Sequence, residues 1–117
     1  LNLFERCKMN YFPHKWVVID YGDEYADTQR YAILAGWYGG FAGSDSWRRS
    51  SPIVKWDFKE DGLEAYTESG SKYDLHKGAI GVTMLTQSLI SGAGLTVLSE
   101  WEDVFHILKG VTQCQTN

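Results

Sequence analysis

The residues best suited to chemistry concentrate in one glycine-rich stretch, residues 36–51. It interleaves aromatic surface (Trp37, Tyr38, Phe41, Trp47) with hydrogen-bonding side chains (Asp45, Ser46) and a cationic pair (Arg48, Arg49). Rigid rings beside a few oriented polar groups build ligand pockets and interface anchors, because a ring offers much contact area for little lost side-chain freedom. The stretch lacks the Gly-Lys-Ser/Thr ending of a phosphate-binding loop, and it carries no dinucleotide-binding glycine pattern. The expected ligand-binding set is Trp37, Tyr38, Phe41, Asp45, Ser46, Trp47 and Arg48. The expected partner is a protein or a small planar or sugar-like ligand stacked on Trp37 or Trp47. The plainer expectation for the same residues is a strand crossing to the next sheet position, with Trp47 in the core and the arginines solvated.

Other constellations carry less. His14, His76 and His106 share no metal-ligand spacing, and Cys7 and Cys114 form no CxxC pair, so no metal and no cofactor is expected. Asp57 and Asp74 are expected to flank Tyr66 on a solvated sheet face, roughly 9 to 10 Å apart, too far for a retaining glycosidase pair or a shared cation. The acidic segment 23–27 has a calcium loop's charge without its alternating ligands. The serines are numerous, and none sits in a Gly-x-Ser-x-Gly elbow. The leading functional expectation is therefore a non-catalytic binding domain, self-associating through an exposed aromatic face. The alternative is a small hydrolase or isomerase using Asp45, Arg48 and one histidine in a pocket between sheet and helices. A third reading, an acidic partner for a basic protein surface, rests on the net charge and segment 23–27.

The elements that must position these residues follow from pattern. Lys15 to Asp20 reads as a strand built on the β-branched run after Trp16. Gln29 to Tyr38 reads as a second strand covered on both faces, with Tyr31, Ile33, Ala35 and Trp37 on one side and Ala32 and Leu34 on the other. Asp61-Gly62 is the hairpin signal, because a type I′ turn needs positive φ. That turn pairs Lys59 with Glu64 and Trp56 with Thr67. A three-residue loop at Ser69-Gly70-Ser71 then pairs Glu68 with Lys72, Tyr66 with Asp74 and Glu64 with His76. The meander, about 53–76, buries Trp56, Phe58, Leu63, Ala65, Thr67, Tyr73 and Leu75, and its outer rows alternate in charge. Residues 80–91 fit either a helix closed by Gly92 or Gly94 or a strand, and Leu95 to Leu98 fits a short buried strand. Ser99-Glu100-Trp101-Glu102 has capping-box form, and Trp101, Val104, Phe105 and Leu108 make one apolar helical stripe ending at a left-handed Gly110. Strands followed by helices predict an α+β domain: a mostly antiparallel sheet with one or two helices toward the C-terminus on one face.

Composition sets the outer bounds. One domain is expected from 117 residues, with a frayed tail over 111–117. Eleven Lys+Arg against fifteen Asp+Glu give a net charge of −4, which offers nucleic acid no electrostatic footprint. No apolar run is long enough to span a membrane. A cytoplasmic location with reduced thiols is expected.

Overall fold

The computed structural model describes residues 9–39 and 44–111. In chain order the elements are β1 (Asn10–Tyr11), β2 (Lys15–Asp20), α1 (Asp27–Arg30), β3 (Tyr31–Trp37), β4 (Ser46–Arg49), β5 (Ile53–Lys59), β6 (Gly62–Thr67) and β7 (Lys72–His76). A 3-10 turn (Lys77–Ala79), α2 (Met84–Ala93), β8 (Val97–Leu98) and α3 (Trp101–Gly110) complete them. The α+β class holds, and the strands divide into two sheets ordered β1-β7-β6-β5 and β4-β3-β2-β8. Every ladder is antiparallel except β1 beside β7.

The β2–β3 pair is buried on both faces, which is why both strands read as nearly unbroken apolar runs. Trp16 and Val18, with Tyr31, Ile33 and Ala35, face the β1-β7-β6-β5 sheet and share a core with Trp56, Leu63, Ala65, Tyr73 and Leu75. Val104 and Leu108 of α3 close that core, both fully buried. Val17, Ile19, Ala32 and Leu34 form a second cluster on the opposite face, covered by Ile90 of α2 together with Val82, Leu95 and Val97. The predicted limits of β2 are the observed ones, while the start of the predicted second strand is the helical turn α1.

Residues 80–91, open to helix or strand by pattern, hold most of helix α2, and two threonines start it. Thr83 caps α2: its hydroxyl accepts from the Thr86 amide at 3.1 Å, and the Thr86 hydroxyl accepts from the Thr83 amide at 2.9 Å. Gly94, at φ 64°, closes the helix by donating to the Ile90 carbonyl. Helix α3 begins differently from the expected capping box. Glu100 is its N-cap without a side-chain bond, and Gly110 lies inside the helix with Val111 as the C-cap. Tertiary burial of Val104 and Leu108, not capping, holds this helix.

Both turns of the meander lie one residue from their predicted places. Glu60 and Asp61 form the first turn, so Lys59 pairs with Gly62, Trp56 with Ala65 and Asp57 with Glu64. The second loop gives Tyr66 opposite Lys72, Glu64 opposite Asp74 and Gly62 opposite His76. Each pairing slides by two residues, an even number, so the buried face keeps the expected residues while the outer rows change. Asp57, Glu64 and Asp74 now form one acidic row, replacing the expected alternation across strands. Lys59 and Lys72 compensate along the diagonals: Lys59 lies 3.7 Å from Glu64, and Lys72 lies 3.5 Å from Glu64 and 3.8 Å from Asp74. Burial pushes the Asp74 carboxyl above its ordinary range; Lys72 opposes this and Glu64 adds to it.

Gly62 selects this register by contact, not by turn conformation. It is a strand residue, and a Cβ there would fall onto the Leu75 carbonyl oxygen of β7. A bulge between Ile53 and Lys55 then turns Ile53 into the core beside Trp56.

Gly62→Ala should therefore cost about 2–3 kcal/mol of stability, as forced overpacking against backbone does. Gly92→Ala, in α2 with open space around the new Cβ, should add about 0.5–1 kcal/mol through helix propensity. Chemical denaturation of both variants tests the contrast, and an undisturbed Gly62→Ala would refute the β6–β7 contact. Lys72→Gln should lose about 1 kcal/mol at neutral pH by leaving the acidic row under-compensated. Because burial and the neighbouring Glu64 already raise the folded Asp74 pKa and Lys72 opposes them, that loss should shrink as pH falls through the titration of Asp74. A pH-independent loss would rule out this electrostatic origin.

Candidate functional site

The segment joining β1 to β2 crosses from one sheet to the other and is tied to the end of β3 on the way. The Trp37 indole donates to the Phe12 carbonyl at 3.0 Å, and the His14 amide donates to the Gly36 carbonyl at 3.1 Å. The His14 Nδ1 accepts from the Tyr38 amide at 2.9 Å. These bonds bring Tyr11 and Phe12 against the aromatic end of β3 and the edge strand β4. The result is a groove of about 470 Å³ lined by Asn10, Tyr11, Phe12, Trp37, Trp47 and Arg48.

The rings are fixed in a stack. Tyr11 lies on Tyr73 of β7 with centroids 4.7 Å apart and planes 25° from parallel, and Trp37 is 6.1 Å from Tyr11. The Arg48 guanidinium sits over the Tyr11 ring, 4.9 Å from its centroid. Arg48 is thus held by a cation–π contact that locates its charge at the groove wall. Burial pushes the Tyr73 phenol upward and neighbouring Arg48 partly reverses the shift. Phe12 and Trp47 remain 63% and 46% exposed, unusually open for side chains of that size.

Of the expected binding set, Trp37, Trp47 and Arg48 meet at this groove. Tyr38 stacks instead on His14, with centroids 5.9 Å apart. Asp45 accepts from the Gly39 amide at 2.6 Å and so pins the two ends of the glycine-rich connection together. Ser46 is an exposed edge-strand residue paired with Trp37, and Phe41 lies outside the described residues. The glycine-rich stretch contains β4. That strand does cross to the next sheet position, while Trp47 stays open to solvent and does not plug the core. Tyr11, Phe12 and Asn10 were not anticipated. The signal available for them was the Tyr-Phe pair ahead of Pro13, far from the glycine-rich stretch in sequence.

The polar groups assigned to an enzymatic alternative hold backbone here, His14 on the Tyr38 amide and Asp45 on the Gly39 amide. His76 lies opposite Gly62, not Glu64, and its Nδ1 accepts from the Gly78 amide at 2.9 Å. Asp57 and Asp74 flank Glu64 and not Tyr66. Among the described residues no cluster of three or more His, Cys, Asp or Glu could hold a metal. No described helix is long and apolar enough to cross a membrane. Cys7, Cys114 and the tail beyond Val111 lie outside the described residues.

At the opposite end of the β2–β3 pair, Asp20 and Arg30 fix the connecting turn. The Arg30 Nε donates to Asp20 Oδ1 at 2.7 Å and its Nη2 to Oδ2 at 3.1 Å, while the Gly22 amide donates to Oδ1 at 2.9 Å. The Arg30 guanidinium holds the Asp20 carboxyl below its ordinary 3.8, against the opposing effect of burial. With its folded pKa depressed, Asp20 contributes fully above the unfolded value and loses its contribution as pH falls through the folded one. Stability should therefore drop on acidification below about pH 4, and Asp20→Asn should flatten that acid limb in a denaturation series. An unchanged acid limb in the variant would locate the effect elsewhere. No protein-family model, no curated protein and no solved structure matches this chain, so the residues themselves carry the functional reading.

Proposed function

We propose that this chain is a non-catalytic binding domain whose groove of Tyr11, Phe12, Trp37, Trp47 and Arg48 receives a planar or sugar-like ring. One observation supports it above the others. Large aromatic side chains stay exposed around a concave surface whose floor is rigidly stacked and whose wall carries a located guanidinium. Exposed apolar rings are unfavourable in water, and a stacking ligand recovers that loss while Arg48 orients any electron-rich or anionic edge. Because the rings are already ordered by Tyr73 and the Phe12–Trp37 bond, binding forfeits little further conformational freedom.

Titration with nucleosides, aromatic metabolites and sugars, read by tryptophan fluorescence, tests the proposal. Trp47→Ala and Phe12→Ala should each weaken the responding ligand about 5- to 30-fold, the effect of removing an anchor worth 1–2 kcal/mol. Their melting midpoints should stay near that of the parent chain, since both side chains are largely exposed. Unchanged affinity in both variants would refute the groove. A dimer by light scattering that Trp47→Ala dissociates would instead assign this face to a second copy of the chain.

A further inference from the structure

A second cavity, on the other side of β4 from the aromatic groove, has a different chemical character. It measures about 510 Å³ and is lined by Tyr21, Tyr25, Gln29, Arg49, Ser50, Pro52 and Glu68. Its frame is fixed by bonds that leave the outward side chains uncommitted. On one wall the turn after β2 is held by Asp20 and Arg30, with Gly22 at φ 108° allowing the Tyr25 amide to reach the Gly22 carbonyl. The Tyr21 amide donates to the Arg30 carbonyl at 2.9 Å, and the Tyr21 and Tyr25 rings stand 6.0 Å apart. On the other wall the buried Ser50 hydroxyl accepts from the Ile33 amide and donates to the Ser51 carbonyl. The Glu68 amide is held by the Pro52 carbonyl at 2.9 Å, and the Ser69 amide by the Ser51 hydroxyl at 3.0 Å.

Within this rigid frame, Gln29, Arg49 and Glu68 make no side-chain hydrogen bond or ion pair among the described residues. A guanidinium and a carboxylate thus line one small cavity without reaching ion-pair distance of each other. An anion alone would gain from Arg49 and be repelled by Glu68, and a cation alone would meet the reverse. A neutral sugar would find hydrogen-bonding partners but gain nothing from the opposed charges. The ligand that satisfies both is a small molecule bearing a carboxylate and an ammonium. We infer that this cavity binds a zwitterion of the α-amino acid class, its carboxylate on Arg49 and its ammonium on Glu68 beside the tyrosine rings. Arg offers the planar fork that matches a carboxylate, and tyrosine faces attract an ammonium. The Gln29 amide, able to donate and accept, lies at the same rim.

Calorimetric titration of the whole chain with free L-amino acids, their carboxamides, their N-acetyl derivatives and glucose tests the assignment. At least one free amino acid should bind, and capping either end should weaken it at least about 10-fold, the loss of one charge-assisted contact. Glu68→Gln should abolish the discrimination against the N-acetyl form, and Arg49→Gln that against the carboxamide. Both variants should keep the parent melting midpoint, because the exchanged side chains are exposed and unpaired. Trp47→Ala should leave this binding unchanged, which separates it from the aromatic groove. Absence of amino-acid binding, equal binding of free and capped forms, or glucose as the better ligand would each overturn the inference.

Discussion

Trp16 is fully buried where the two sheets meet, and its indole N–H donates to the His76 carbonyl at 2.8 Å. That bond joins β2 of one sheet to the end of β7 in the other. Its ring meets Trp101 edge-on at 6.4 Å, and its carbonyl accepts from the Gly81 amide at 2.9 Å. One residue therefore ties together both sheets, the start of α3 and the chain leading into α2. A buried indole must find a partner for its N–H, and the geometry that satisfies it fixes how the sheets stack. Because β2 and β3 are covered on both faces, neither can slide without exposing one core or the other.

This rigid middle explains where open chemistry is found. The proposed aromatic groove lies at the end of β3 where Trp37 emerges from the core, and the polar cavity lies near its beginning. Both border β4, an edge strand exposed at all four positions. An edge strand offers unpaired backbone that invites unwanted pairing, and Arg48 and Arg49 are charges of the kind that discourage it. The same arginines stand at the groove and the cavity respectively. Protection of the edge and presentation of charge to a ligand are compatible roles for them.

Much of the fold was legible because it depends on local pattern. The β2 limits, the two-sided coverage of β3, the inward set of the meander and the α3 stripe all follow from residue type and period. The meander's register was not legible. Asp61-Gly62 is a valid turn signal, but the glycine is needed one step later, where β7 approaches too closely for any Cβ. The close approach is a tertiary fact, and it moved Glu64 between Asp57 and Asp74, the place where Tyr66 had been expected. Likewise Thr83 and Thr86 lower helix propensity in the interior yet cap α2 when placed at its start.

For the candidate site, the sequence picked out the ring and guanidinium types of Trp37, Trp47 and Arg48, while Tyr38 and Asp45 turned out to fasten the chain locally. Side-chain type is an intrinsic property, so aromatic and cationic character could be read directly from the chain. Which of those side chains share a surface depends on long-range contacts: the β1–β2 segment bringing Tyr11 and Phe12 to β3, and β7 placing Tyr73 beside Tyr11 in the parallel β1–β7 ladder. Periodicity carries no information about contacts between residues so far apart in sequence. The sequence by itself determined the α+β class, the two-sided burial of β3 and the kinds of side chain available for binding. Only the tertiary structure decided the register, the division into two sheets and which rings stand together, because each depends on close packing between elements distant in the chain.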